Sequence, residues 1–288
     1  MKISFVIVNY NRKREILLTI TKTKLLPGFN GHDYEIIVVD NASTDGSAAA
    51  IRQLHPDVIL IPNEQNIGAP AWNIGFKAAS GDYFVILDDD SHIEIGLEGA
   101  ISYLDKHANV GVLALNIQGG AFQTSDWKHL SRYSGFIGCG AIIRKSLYDS
   151  IGGYADWIFL YTNEYEYGMR CMQAGFDIVY YGNCFVTHRT SNINRSSKRL
   201  VTFSVRNEMA IVYKYFSKRT RLAYLIRVYL NNLRCISEHG IRSIPWYLSA
   251  LSEFYKIKRD IPHTPVEPAV EKFYSMDFWS TRRFLGIF

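Results

Sequence analysis

The sequence predicts an α/β fold: a mostly parallel sheet flanked by helices, with a basic helical extension at the C-terminal end. Three observations carry that reading. In the first ninety residues the short β-branched runs "ISFVIVNY", "EIIVVD", "VILIPN" and "YFVILDDD" alternate with segments of helical character. Near-continuous apolar strands separated by helices belong to sheets covered on both faces. Each run ends in a polar cluster, at 9–12, 40–47, 63–68 and 88–90, and such sheets bind ligands where the carboxyl ends of their strands open into loops. The third observation is charge. Residues 1–188 carry 14 basic and 20 acidic side chains, whereas 189–288 carry 18 and 7, so the basic excess belongs to the last third and suits a phosphate-rich or anionic partner.

The elements follow in order. After the four strands, "VGVLALNI" predicts a fifth, and the glycine-rich "SGFIGCGAIIRKSLYDSIGGY" a turn, a strand and a short helix. "NEYEYGMRCMQAGF" predicts a helix over about 164–174, and "FDIVYYGNCFVTH" a last strand reaching His188. Beyond it the chain reads as basic helices, with Pro245, Pro262, Pro265 and Pro268 marking turns and a loose tail.

Several classes are excluded. Cys139, Cys171, Cys184 and Cys235 are far apart, so neither a zinc knuckle nor a disulfide framework is indicated. The apolar start stops at Asn9, too short for a signal segment, and no run approaches the ~18 apolar residues of a membrane span. A cytoplasmic protein is expected. No nucleic-acid motif accompanies the basic third, so nucleic acid is not an expected partner.

Chemistry concentrates at Asp88, Asp89 and Asp90. Like charges crowded at the end of a buried strand raise one another's ionisation cost unless a cation neutralises them. On an extended strand end Asp88 and Asp90 share a face, and two carboxylate oxygens suit Mg2+ or Mn2+. The alternative is structural, with Asp90 or Ser91 capping a turn that leads to the helix near Gly96. In "VVDNASTDGS", residues 43–47 form a turn that caps the next helix, while Asp40 at the strand end can accept from a ribose or a base.

Taken in order, "VIVNYNR", "VVDNASTDGS", "NIG" at 66–68, "NIGFKAASGDYFVILDDD" and "NEYEYGMRCMQAGFDIVY" resemble the family-two inverting glycosyltransferases of the GT-A fold, a Rossmann-like sheet. The resemblance spans roughly 2–207 and is strongest to bacterial polysaccharide enzymes of rhamnosyltransferase type. It implies a catalytic domain over 1–200, with a nucleotide-binding half to about 110 and an acceptor-binding half over 111–200, followed by the helical basic region 201–288.

It also implies roles. Asn9, Tyr10 and Arg12 would lie beside the nucleotide, Asp40 on the base or ribose, and Asn66, Gly68, Asn73 and Asp89 on the same side. Asp88 and Asp90 would hold Mg2+ or Mn2+ on the diphosphate, with His188 as a third ligand, and Arg206 of "SVRN" would reach the diphosphate. The family base is the second residue of an acidic pair, six residues before an arginine. Here that pair is Asn163 and Glu164 with Arg170, so Glu164 is the expected base and Glu166 the alternative. A carboxylate in a first helical turn, capped by Thr162 or Asn163, is held as an anion by the helix dipole. Three departures stand out: Asn163 replaces an acidic residue, a glutamate replaces the more frequent aspartate, and the loop between the two "NIG" stretches is one residue shorter than the common form.

The implied activity is metal-dependent transfer from dTDP-rhamnose or a UDP-hexose to a glycan or lipid-linked saccharide. The alternatives are a non-catalytic sugar-nucleotide-binding subunit, or a nucleotidyltransferase, for which "NYNRKRE" lacks the glycines. Trp157, Phe159 and Tyr161 are candidate sugar-stacking faces, and "SGFIGCGAII" either lines the acceptor side or permits close strand packing. The basic, aromatic C-terminal third suits peripheral contact with the inner face of a membrane, or a homo-oligomer interface.

Overall fold

The first half of the chain folds as its alternation predicts. A computed structural model describes residues 2–27, 33–120, 123–189, 196–233 and 240–284; Cys235 lies outside them. β1 (Lys2–Asn9), α1 (Lys13–Lys24), β2 (Asp33–Asp40), α2 (Ser47–Leu54), β3 (Ile59–Pro62), α3 (Ala71–Ala78) and β4 (Tyr83–Asp88) form a parallel unit in which β1 lies between β2 and β4. The register sets Asn9 beside Asp40 and Val8 beside Asp88, so the carboxyl ends finish level. Side chains alternate across the sheet. Phe5, Ile7, Val85 and Leu87 meet Ile16 and Ile20 of α1 on one face, while Val6, Phe84 and Ile86 meet Phe76 of α3 on the other. Each such fully buried side chain contributes about 1.5–3 kcal/mol.

The second half completes an eight-stranded sheet. β5 (Ser91–Ile95), α4 (Leu97–Lys106), β6 (Val110–Gln118), β7 (Ala141–Arg144), α5 (Lys145–Ile151), α6 (Asn163–Gln173) and β8 (Asp177–His188) follow, giving the order β3-β2-β1-β4-β7-β6-β8-β5. Only β7 and β5 run against the others. Strand β5 differs from the expectation of a cap leading directly to a helix. The Ser91 hydroxyl accepts from the Asp88 N–H at 2.9 Å and so closes the aspartate turn, after which the chain pairs with β8, Ser91 opposite His188. Helix α4 starts only after Gly96, whose left-handed φ of 92° and close approach to the Asn183 carbonyl require glycine.

The C-terminal third is helical: α7 (Ser197–Tyr215), α8 (Lys218–Leu233), α9 (Ile244–Ile257) and α10 (Pro268–Phe284). The expected loose tail is corrected here. Pro245 and Pro268 sit in the first turns of α9 and α10, where a missing N–H costs nothing. Helices α8 and α9 pack on α7, and α10 packs on α6, where Tyr274 meets Tyr165 edge-on; Tyr165 and Met169 of α6 share one apolar cluster with Val205 and Met209 of α7 and Phe254 of α9. A buried polar clamp adds direction. Glu166 accepts from Arg170 Nε at 3.0 Å and Nη2 at 2.8 Å and from the Tyr215 hydroxyl, while Arg170 also donates to the carbonyls of Ile151 and Gly153 at 2.7 Å. The pair is therefore more than an ordinary exposed i,i+4 contact.

Breaking a buried, hydrogen-bonded ion pair from one side leaves the other charge stranded. Glu166→Ala is expected to lower unfolding free energy by about 3 kcal/mol, and Tyr215→Phe by about 1.5 kcal/mol, both read from urea midpoints at constant slope. Equal and negligible losses would show that α6 and α7 are held by apolar packing alone.

Candidate active site

The aspartate turn is built on its neighbours. Strand β4 stops at Asp88, and Asp89 and Asp90 turn, which breaks the alternation that would have set Asp88 and Asp90 on one face. The Arg12 guanidinium, just after β1, bridges Asp89 Oδ1 at 2.9 Å and Asp90 Oδ2 at 2.6 Å. Tyr10 N–H donates to Asp89 Oδ2 at 3.2 Å. Beneath, Thr19 donates to the Asp89 carbonyl at 2.7 Å, and Arg189 ties the same turn to Glu15 of α1. Burial pushes the Asp89 carboxyl up to about 7 against the opposing pull of Arg12. Asp90 is wholly buried, 3.1 Å from His188 Nε2. Asp88 alone of the three is left half-buried, and it faces the cavity.

That cavity measures about 520 Å³ and opens at the carboxyl ends of β1, β2 and β4. Tyr10, Arg12, Asn66, Gly68, Asp88, Asp89, Glu164 and His188 line it. Asn9 and Asp40 lie beneath the wall: Asn9 Nδ2 donates to Asp40 Oδ1 at 2.8 Å, and Ser43 N–H to Asp40 Oδ2 at 3.2 Å. It is Asn41, not singled out in the sequence, that reaches the wall. Its amide bonds Asn66 Oδ1 at 2.9 Å and accepts from Ile67 N–H at 3.1 Å, fixing the following loop. Asn73 faces elsewhere, bonded to both backbone groups of Tyr154. As expected, the 43–47 turn caps α2, through Asp45 accepting from Ser47 N–H at 3.0 Å.

Glu164 enters the cavity from the start of α6, and its Oε1 accepts from Gly138 N–H at 3.1 Å. The glycine segment permits the approach, since a Cβ on Gly138 would stand 2.5 Å from that oxygen. The same segment lines the cavity wall through Phe136, Ile137 and Cys139. Glu166, two residues on and 200° around the helix at about 100° per residue, is turned into its clamp with Arg170 and Tyr215. The expected side-chain cap is absent, and Thr162 is itself left-handed at φ 59°. Burial outweighs the helix dipole and pushes the Glu164 carboxyl up to about 7, with Asp88 adding to the rise. The expectation of an anion held by the dipole is corrected accordingly.

Before α6 the chain is strained, with Tyr161 and Thr162 at φ 65° and 59°. Asn207 of α7 holds this turn, donating to the carbonyls of Leu160 and Tyr161 at 2.8 Å. Arg206 points behind the wall, to the Trp157 carbonyl at 3.3 Å and Asn207 Oδ1 at 2.8 Å. Phe159 and Tyr161 line the cavity, while Trp157 packs with the C-terminal cluster.

The residues suit a divalent cation. Asp88, Cys139 and His188 bring one ligand atom each within 4.8 Å of one another, a carboxylate, a thiol and an imidazole, all recognised donors to such ions. Cys139, Asn41 and Arg189 carry no assigned role in the sequence, because pairing across strands, which places the first and third, has no local signal, whereas Asn207 belongs to the "SVRN" pair.

A family description, glycosyl transferase family 2, matches residues 4–167. An uncharacterised glycosyltransferase of Bacillus subtilis, YwdF, is 29% identical over 59% of this chain and 70% of its own length. Dolichol-phosphate mannosyltransferase of Pyrococcus furiosus is 25% identical over 62% of this chain, which spans about half of that protein, 51%. Among solved structures, S. aureus TarS 1-349 in complex with UDP-GlcNAc superposes with a TM-score of 0.64 at 16% identity, over 100% of this chain and 89% of that one. Mannosyltransferase PcManGT from Pyrobaculum calidifontis, with GDP-Man and Mn2+, gives 0.61 at 16% identity over 98% and 86%. At these identities the likeness shows the fold, which is the expected GT-A type with additional C-terminal helices.

The cavity's two walls meet at Gly68, where Ala69 N–H donates to the Phe159 carbonyl at 2.7 Å. A Cβ on Gly68, at φ 71°, would stand 1.9 Å from that carbonyl oxygen. Gly68→Ala is expected to cost well over about 1 kcal/mol of stability, read from its urea midpoint. A neutral substitution would show that the two loops separate freely.

Proposed function

The chain belongs to glycosyl transferase family 2, and we propose on that premise that it moves a sugar from a nucleotide diphosphate sugar to a hydroxyl of a glycan or lipid-linked saccharide, with inversion. One observation carries the reading: Asp88 and Glu164 line one cavity together with the His188 ring, while Asp89 and Asp90 bond Arg12 and Glu166 bonds Arg170. A non-catalytic subunit has no need to keep both. That solved relatives hold UDP-GlcNAc, or GDP-Man with Mn2+, supports a nucleotide-sugar donor and a divalent cation. UDP-hexoses and dTDP-rhamnose are the donors to test first.

In this reading Tyr10, Asn41, Asn66 and Gly68 form the nucleotide side, with Asn9 and Asp40 bracing it from beneath. Asp88 and His188 would hold a divalent cation, Mg2+ or Mn2+ in the first instance, which would neutralise charge on the diphosphate. Glu164 takes the proton of the acceptor hydroxyl as its oxygen bonds to the anomeric carbon and the diphosphate departs on the opposite face. Gly138 N–H fixes the Glu164 oxygen that faces it, and Phe159 and Tyr161 offer flat apolar faces to the sugars.

A donor present at ~100 times its dissociation constant should stabilise the protein by ~2.7 kcal/mol, which identifies it in a thermal-shift screen with cation present. With that donor, Glu164→Gln is expected to lower kcat by about 10²–10⁴-fold at little cost in donor affinity. Because a general base acts deprotonated and burial places Glu164 near 7, wild-type kcat/KM should rise with pH as one proton leaves near that value, then level. The same shift acts oppositely on stability. A carboxyl whose folded value exceeds its unfolded one favours the native state at low pH and loses that contribution as pH rises through about 7. Glu164→Gln should therefore gain stability over wild type at pH 8 and not at pH 4. Full turnover in Glu164→Gln would remove the base from this residue.

We further propose that α8 and α9 dock on an anionic membrane surface. Leu222, Ile226 and Leu230 of α8 and Leu248 and Tyr255 of α9 are exposed by 51–68%, among exposed Lys218, Arg219, Arg227, Lys256 and Arg259. No helix among the described residues is long and apolar enough to cross a membrane, so the contact would lie in the interface, each basic residue adding on the order of 1 kcal/mol. The protein should sediment with anionic vesicles, release as salt rises, and ignore neutral ones; Leu222→Asp with Ile226→Asp should abolish it. No vesicle binding, with a salt-insensitive dimer disrupted by the same pair, would assign the surface to a second copy.

A further inference from the structure

The cation-binding reading of Asp88 and His188 leaves one neighbour without a role. Cys139 precedes β7, and the β4–β7 ladder pairs Ile86 with Ala141. Two residues further, the same antiparallel register sets Asp88 opposite Cys139. The thiol is 2% exposed yet lines the cavity, and its Sγ, an Asp88 oxygen and a His188 nitrogen fall within 4.8 Å of one another. These three atoms come from the ends of two strands and the loop before a third, so the cluster is a product of the sheet and not of local spacing. Asp90, which the sequence offers as the second carboxylate, is occupied by Arg12 and lies behind His188. The donors brought within 4.8 Å of one another are one carboxylate oxygen, one imidazole nitrogen and one sulfur.

We propose that Cys139 is a thiolate ligand of the cation held by Asp88 and His188, so that this site prefers Co2+, Zn2+ and other borderline cations to Mg2+. The proposal rests on the reading that Asp88 and His188 bind a cation and assigns that site's selectivity. Hard Mg2+ favours an all-oxygen octahedron and keeps its waters, whereas sulfur and imidazole suit the later first-row ions. Four-coordinate sites with one sulfur, one nitrogen and one carboxylate leave a position open to an outside oxygen, the arrangement a substrate phosphate needs. On binding, the Sγ–H bond breaks as the Sγ–metal bond forms, and the proton passes to buffer, one per cation. Cys171 and Cys184 are also fully buried but do not line the cavity, which separates them from this role.

The test uses the full chain and Co2+ alone, without donor. Wild type should develop a near-ultraviolet thiolate-to-cobalt charge-transfer band on titration, saturating at one Co2+, with a proton released per ion. Cys139→Ser should lose the band while still binding Co2+ by calorimetry, and its preference for Zn2+ over Mg2+ should fall at least tenfold; Cys139→Ala provides the same comparison should the serine variant fold poorly. Saturation of wild type with no charge-transfer band, or a band that persists in both Cys139 variants, overturns the proposal. The underlying reading fails differently. Asp88→Asn and His188→Ala would then leave Co2+ affinity unchanged, whereas with a true site and no thiolate they abolish binding that never carried the band.

Discussion

The fork that Arg12 makes to Asp89 and Asp90 is the interaction on which the site depends. Three adjacent carboxylates at the end of a buried strand repel one another, and in a low-dielectric interior that repulsion would unwind the turn or leave the groups protonated. One guanidinium placed between two of them removes most of it, with N–O separations of 2.9 and 2.6 Å. The carboxylates in turn hold Arg12 charged, above its ordinary value although burial works against it. Arg189 and Thr19 fasten the backbone of the same turn to α1. With Asp89 and Asp90 both bonded to Arg12, Asp88 is the aspartate that stands in the cavity beside His188 and Cys139. Internal ion pairs carry the structural load of the aspartate turn, and Asp88, Cys139 and His188 remain placed where a divalent cation would fit.

The opposite wall is made by close approach rather than by charge. Gly138 and Gly68 are positions where any side chain would collide with a working part, the Glu164 carboxyl in one case and the Phe159 carbonyl in the other. Between those contacts the chain passes through two left-handed non-glycine residues, Tyr161 and Thr162, a conformation that costs energy and persists only when surroundings over-determine it. Asn207 supplies that constraint from α7. The C-terminal helices thus reach the chemistry through the α6–α7 contact, by holding the turn that aims Glu164. Burial raises that carboxyl to about 7, and the strained turn before it sets where it enters the cavity.

What the sequence by itself determined was whatever repeats along a strand or helix or sits at a fixed offset within one motif. The apolar runs set β1 to β4, the polar clusters at their ends marked the rim, and the ordered motifs carried the family. Glu164 was reachable from its offset to Arg170. So was the fact that Glu164 and Glu166 face opposite ways, since residues two apart on a helix differ by about 200°; which of the two faces is the wet one was not.

Only the tertiary structure decided the rest, because those facts are pairings between residues far apart in the chain. Arg12 lines the cavity as expected of a nucleotide-side residue, but its bonds to Asp89 and Asp90 join residues far apart in the chain. Arg206 and Asn73, expected at the site, bond instead to Asn207 and the Trp157 carbonyl and to the Tyr154 backbone, and neither lines the cavity. Cys139 carries no local signature, and its place beside Asp88 follows from the β4–β7 register. Strand β5 is five residues whose partner lies some ninety positions later in β8. A single side chain's chemistry is local and so can be read in order; whether it is spent on the fold or left for a ligand depends on what packs against it, and only closure of the sheet decides that.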